Sequence, residues 1–366
     1  MRWRGPYRQN EAAPVRALKL WGVIAALASA IAPASSLAEH RVTPLFARSD
    51  VIHVVVQAPI GRLISDRSAA SAPVEGTLMV DGERAPISVK LSLRGITRRK
   101  SETCAFPPIR VDILESPSEN SLFAGQRKLK LVSPCRAGAA YQQYVFLEYS
   151  AYLMYNKLTP LSYNVRLASI DYLDARGKLI ASRTGYFLEN EKDLARRNGL
   201  REAVVGDRIS LSQLSPRDSV RHAIFEYMIG NIDWSQAAAP AGAGCCHNTK
   251  LLGEKQASNG LVPIPYDFDE TGLVDPPYAV PPEGSDITDV TTRQYRGYCV
   301  FNTDALAVAA DFRDHRSDIL AVLDDVPQLD PGPRRKAAAY LERFFADIVT
   351  DQMVSAKLLR TCLGRR

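Results

Sequence analysis

Asp233, Asn248 and Asp267 have the types and the order that metal-assisted phosphoryl transfer requires. Asp233 follows Ile229-Gly230-Asn231-Ile232, at the expected end of a helix. Asn248 stands just ahead of a short apolar strand, Thr249-Lys250-Leu251-Leu252. Asp267 closes the next strand in Pro263-Ile264-Pro265-Tyr266-Asp267-Phe268-Asp269. Transfer of a phosphoryl group asks little covalent chemistry of a protein. It needs a carboxylate to orient the accepting hydroxyl and hard oxygen ligands to hold Mg²⁺ on the phosphates. The amide oxygen of Asn248 and the carboxylate of Asp267, offered from neighbouring strands, meet the second need.

The elements that must position these residues show in the hydrophobic periodicity. Residues 51–57 are a β-branched run, and 76–80 lead into Asp81-Gly82, a hairpin signal. Ile87, Val89, Leu91 and Leu93 alternate with polar residues, which predicts a strand with one buried face. Strands are expected at 109–114, 128–132, 165–172 and 179–189, and a well-buried helix at 141–158. Helices then dominate, at 218–229, 304–323 and 334–359, interrupted by a strand pair near 248–252 and 261–268. A β-rich front half with one inserted helix, followed by a helical back half, predicts an α+β protein with a cleft between two lobes. The stretch 236–244, rich in Ala, Gly and Pro, reads as a flexible insertion.

The order Gly-Asn-x-Asp, His-Asn, then a strand into Asp-x-Asp resembles the catalytic centre of atypical protein kinases, above all the spore-coat protein H family. It is similar to that of the Golgi secreted kinases and, more loosely, of lipid kinases. The resemblance spans roughly residues 85–275. It implies a two-lobed kinase-like fold with a β-rich N-lobe over 39–189 and a helical C-lobe over 190–366. It implies Asp233 as the catalytic acid and Asn248 and Asp267 as metal ligands, with Asp269 assisting or replacing Asp267. Mg²⁺ or Mn²⁺ and ATP or another nucleotide are the implied cofactors, and a protein or cell-envelope hydroxyl is the implied acceptor. The family also carries an early Arg-Gly loop followed by basic residues. Here that loop is Arg94-Gly95-Ile96-Thr97-Arg98-Arg99-Lys100, where Arg98 and Arg99 would meet phosphates through guanidinium forks. A strand Lys paired with a helix Glu holds the α/β-phosphates in kinases, which implies Lys130 with Glu148. Lys130 is preferred to Lys128 because it lies deeper in the apolar strand. The apolar Gly185-Tyr186-Phe187-Leu188-Glu189 resembles the family's link between lobes. A G-x-G-x-x-G loop is absent, which excludes an ordinary kinase phosphate loop.

Two other readings of Asp267-Phe268-Asp269-Glu270-Thr271-Gly272 stay open. It resembles the nucleophile motif of haloacid-dehalogenase-type phosphatases, although Gly272 interrupts that pattern and fewer than a hundred residues follow. It also matches the first half of a calcium loop through Asp267, Asp269, Thr271, Gly272 and Asp275, but Tyr278 stands where the closing Glu belongs. A non-catalytic envelope protein, either a pseudokinase or a calcium binder, is therefore the alternative to an active enzyme.

Residues 1–38 read as a secretory signal peptide. Five basic residues precede an apolar run over 20–32, and Ser36-Leu37-Ala38 offers small residues at a cleavage site. The run is too short to span a bilayer, and no later stretch is long enough. The leader holds five of the 46 basic residues and one of the 40 acidic ones, leaving 41 against 39. A nearly neutral mature chain gives no electrostatic case for nucleic acid. An exported location, periplasmic or secreted, suits the six cysteines as disulfides, with Cys104–Cys135 the pair expected first. Cys245-Cys246-His247 invites a zinc reading, against which stands the absence of any C-x-x-C spacing.

Overall fold

Strand pairing in the first half of the chain runs all the way round a closed sheet. The computed structural model describes residues 42–68 and 71–364; the expected leader lies outside them. Seven strands form the barrel: β1 (Ile52–Gln57), β2 (Val74–Val80), β3 (Ile87–Leu93), β4 (Ile109–Ile113), β5 (Lys128–Val132), β6 (Val165–Leu173) and β7 (Leu179–Leu188). A short helix, α1 (Ile60–Ser65), follows β1, and the long helix α2 (Ala139–Leu158) connects β5 to β6. The strand order is β1-β2-β3-β4-β5-β7-β6. Every pairing is antiparallel except the one that closes the barrel, where β6 runs parallel to β1 in the register Ile52↔Ala168 to Gln57↔Leu173. Closure leaves no unpaired strand edge.

The remaining elements are α3 (Glu191–Arg197), β8 (Arg201–Glu202), α4 (Pro216–Ile229), β9 (Thr249–Gly253), β10 (Val262–Pro265), α5 (Asn302–Asp314), α6 (Arg316–Asp325), α7 (Pro331–Asp347) and α8 (Asp351–Lys357). Strands β10, β9 and β8 make a second, three-stranded sheet. Pro263 and Pro265 are tolerated because β10 is an edge strand, where a missing N–H breaks no ladder on the open side.

This architecture corrects the expected two-lobed kinase-like fold. The protein is α+β, but its strands form a closed mixed barrel. A barrel core holds Val54, Val89, Leu91, Val111, Leu131 and Phe187. A larger core crosses the boundary expected at residue 189. It joins Phe146, Tyr152 and Tyr155 of α2 to Phe225 of α4, Phe268, and Phe312 and Phe344 of the C-terminal helices. Helix α2 is buried nearly all round within that larger core, which joins the front half to the helical half. Two expected long helices are each broken in two. Residue 315 separates α5 from α6, and Thr350 caps α8 by accepting a hydrogen bond from Met353 N at 3.2 Å.

All six cysteines are paired. Cys104–Cys135 forms as expected, with Cα atoms 4.5 Å apart, and Cys299–Cys362 ties the start of α5 to the chain's end at 5.0 Å. Cys245 and Cys246 pair with each other, which leaves no free thiolate for zinc. Among the described residues no helix is long and apolar enough to cross a membrane.

Candidate functional site

Helix α4 ends because Gly230 adopts a left-handed conformation (φ 70°), where a side chain would strike the Tyr340 hydroxyl. The chain then turns tightly. Asn231 Oδ1 accepts the Asp233 N–H at 3.0 Å, and buried Trp234 donates its indole N–H to Asn231 O at 3.1 Å. The turn pushes the Asp233 carboxylate outward. His247 Nε2 lies 2.8 Å from Asp233 Oδ1, and Asn248 Nδ2 donates to Asp233 Oδ2 at 3.1 Å and to Asp233 O at 2.7 Å. The long gap between Asp233 and Asn248 is thus bridged directly. The stretch 236–244, expected to be flexible, is anchored, because Gly242 N and Gly244 N donate to the two Asp207 carboxylate oxygens at 2.7 and 2.8 Å.

Asp267 follows edge strand β10. Its N–H donates to the Tyr152 hydroxyl of α2 at 3.0 Å, and it has positive φ (70°), as does Asn248 (47°). Asn and Asp enter this region more readily than other side-chain-bearing residues, and such conformations concentrate at functional sites. The Asp267 Oδ1 atom lies 3.1 Å from Arg98 Nη2 and 3.9 Å from Arg94 Nη2. Asp233, Asn248 and Asp267 line one cleft of about 500 Å³ together with Arg94, Arg98, Lys250, Tyr266 and Glu270.

Arg98 is buried and contacts three carboxylates. It reaches Glu148 Oε2 at 3.3 Å, Asp269 Oδ2 at 3.0 Å and Asp267. Burial opposes its charge, but Asp269, Glu148 and Asp267 outweigh that and hold its pKa well above the ordinary value. Burial raises the pKa of Glu148 and of Asp269. Asp267 behaves differently: burial opposes its charge, yet Arg98, Arg94 and Lys130 overcome it and lower its pKa. Of the three acids, Asp267 is the one whose pKa is lowered. Burial lifts Glu270 to about 7.

Several sequence expectations need correction. The Lys130–Glu148 pair does not form, because Arg98 takes Glu148. Lys130 Nζ faces Glu191 Oε2 at 3.8 Å and sits over the Tyr266 ring at 4.7 Å, with burial lowering its pKa to about 8. Arg99 turns away from the cleft to the Ser68 carbonyl. Glu189 is a structural anchor, accepting from Arg197 Nε at 2.9 Å and Asn164 N at 2.9 Å. The oxygens of the proposed calcium loop do not gather at one point, although Asp267 and Asp269 stay near each other on Arg98. Asp269 faces Arg98, Thr271 donates to Phe268 O at 2.9 Å, and Asp275 pairs with Lys336 at 2.7 Å.

Glu148, Asp267 and Asp269 each place an oxygen within 4.8 Å of the others, a spacing that suits a cation. Arg98 already serves that place, so Glu148 and Asp269 do not fit as metal ligands. Asp267 and Asn248 each keep an oxygen uncommitted. Among the described residues no hydrogen bond reaches Asp267 Oδ2, and Asn248 spends only its Nδ2 on Asp233. Two hard oxygens therefore remain for the cleft. Lys250 and Glu270 were given no role from sequence; Arg94 entered only as the start of the Arg-Gly loop, and His247 only through the zinc reading and the His-Asn pair. No protein-family model matches the chain, and no curated protein matches it.

Proposed function

We propose that the cleft catalyses phosphoryl transfer from a nucleotide to a hydroxyl group of a protein or cell-envelope acceptor, in an exported protein. The observation that carries this reading is the meeting of Asp233, Asn248 and Asp267 in one cleft beside Arg94 and Lys250. Arg94 and Lys250 would hold phosphate oxygens by charge. Asp267 and Asn248 would hold Mg²⁺ or Mn²⁺, which when bound neutralises phosphate charge. Asp233, fixed by His247 and Asn248, would orient the acceptor hydroxyl and take its proton. The hydroxyl oxygen forms the new bond to phosphorus as the bond to the departing nucleoside diphosphate breaks. The paired cysteines favour an oxidising compartment, in keeping with export.

The test is transfer of labelled γ-phosphate to extracellular or envelope protein by the purified chain. Wild type should label acceptors in a divalent-metal-dependent way, and Asp233→Asn should lose at least a hundredfold in rate while still binding nucleotide. A second reading, a non-catalytic binding protein, is favoured by one observation: Arg98 stands among the three carboxylates where a second cation would otherwise sit.

A further inference from the structure

Cys245 and Cys246 pair with each other immediately before the two residues that hold Asp233. A bond between chain neighbours closes the shortest loop available, so it removes almost no freedom from the unfolded protein. The other two links span 31 and 63 residues and act differently. The effect of Cys245–Cys246 is local. Its small ring fixes the backbone torsions between Gly244 and His247, torsions that two separate thiols leave free. That stretch assembles one wall of the cleft, which Cys246 lines beside Gly244, His247 and Asn248. His247 N donates to Ala238 O at 3.0 Å, and Ser235 N donates to His247 O at 3.0 Å. The segment after the cysteines thus closes back on the turn that carries Asp233. From there His247 Nε2 and Asn248 Nδ2 reach its carboxylate at 2.8 and 3.1 Å. The two sulfurs differ in access: Cys246 is buried, whereas Cys245 is half-buried behind the exposed residues 241–244. Both face Gln236 O, at 3.0 Å from Cys246 Sγ and 4.0 Å from Cys245 Sγ. A disulfide sulfur has no proton to give that carbonyl, but a Cys246 thiol has one. The reduced form therefore finds an acceptor already in place.

We propose that Cys245–Cys246 is a thiol–disulfide exchange site, opened by a dithiol reductant, whose state sets whether His247 and Asn248 hold Asp233. Exchange begins when a thiolate of the dithiol attacks Cys245 Sγ, the more accessible sulfur. The S–S bond breaks, and Cys246 leaves as a thiolate that takes a proton. The second thiol of the reductant then displaces Cys245 from the mixed disulfide. The protein gains two electrons and two protons, and the dithiol becomes a disulfide. Oxidised glutathione reverses the change. This goes beyond phosphoryl transfer, since it concerns the hold on Asp233 whatever that carboxylate acts on.

The test is amide hydrogen exchange, read by mass spectrometry on the purified chain before and after mild treatment with dithiothreitol. Free thiols are mapped in parallel by alkylation, and the amides of α7, which does not line the cleft, serve as the reference. Cys245 and Cys246 should become open to alkylation in the folded chain. The Ser235 and His247 amides should then exchange at least tenfold faster while α7 is unchanged, and oxidised glutathione should restore their protection. The double variant Cys245→Ser, Cys246→Ser should exchange fast without reductant and respond no further to it, which separates this link from the other two. Cysteines 245 and 246 that resist dithiothreitol in the folded chain would overturn the proposal. So would unchanged exchange at Ser235 and His247 in the reduced chain, a result that wild type alone can give if the double variant does not fold. None of these readouts needs a nucleotide, so failure of the phosphoryl-transfer reading leaves the proposal standing, and the exchange data alone decide it.

Discussion

Arg98 Nη2 stands 3.1 Å from Asp267 Oδ1, so a loop from the barrel half and a strand end from the helical half meet in an ion pair in the cleft. The same guanidinium reaches buried Glu148 and Asp269. Removing one partner of such a network leaves charges that burial penalises. Arg98→Ala should therefore lower unfolding free energy by about 3–5 kcal/mol, measured by denaturant titration. A loss below about 1 kcal/mol would show that the three acids do not depend on this residue.

Asp267 and Asp269 are two residues apart, and the proposed function gives them different work. Asp269→Asn should weaken the fold by weakening the Arg98 contact, and leave metal-dependent nucleotide affinity within about threefold of wild type. Asp267→Asn should reverse that pattern, because its one-third-exposed side chain faces the cleft. Paired denaturation and binding measurements on both variants separate the roles. Identical behaviour would refute the division.

The pH dependence of stability should carry the mark of His222. This side chain is fully buried, shares a 3.1 Å hydrogen bond with Thr249 Oγ1, and is pushed by burial from the usual 6.5 down to about 3. Between those values the unfolded chain binds a proton that the folded chain does not. The stability contribution is thus complete above about pH 6.5 and falls as pH drops toward 3, by up to about 5 kcal/mol. Urea titrations between pH 4 and 7 should show a clearly flatter slope in His222→Gln than in wild type. Parallel slopes would remove His222 as the cause.

The periodicity of single elements was readable, because burial on one face leaves a local trace. Ile87, Val89 and Leu91 are all buried on β3, as their alternation implies, and the aromatic-rich run around Tyr149 and Tyr152 forms α2. Barrel closure left no such trace, since the parallel contact of β1 with β6 joins residues more than a hundred positions apart. The site divides in the same way. Asp233, Asn248 and Asp267 were legible from type and order. The partner of Glu148 was not, because Lys130 and Arg98 are both cations at plausible distances along the chain, and three-dimensional packing alone decides between them.

Two disulfides bridge long segments, Cys104–Cys135 over 31 residues and Cys299–Cys362 over 63. Replacing either pair with alanine should cost about 2–4 kcal/mol, mostly through the freer unfolded chain. Thermal unfolding of the two double variants, compared with wild type under non-reducing conditions, measures the effect. An unchanged midpoint in either variant would mean that the link contributes nothing to stability.

In the proposed function, Asp267 and Asn248 hold a divalent ion on a nucleotide beside Asp233. Isothermal titration of the purified chain with a non-hydrolysable ATP analogue, with Mg²⁺, with Mn²⁺ and with EDTA, tests it most directly. Binding should require the metal, fall at least tenfold in Asp267→Asn, and persist in Asp233→Asn. Nucleotide binding in none of these conditions, or binding indifferent to both metal and Asp267, would contradict it.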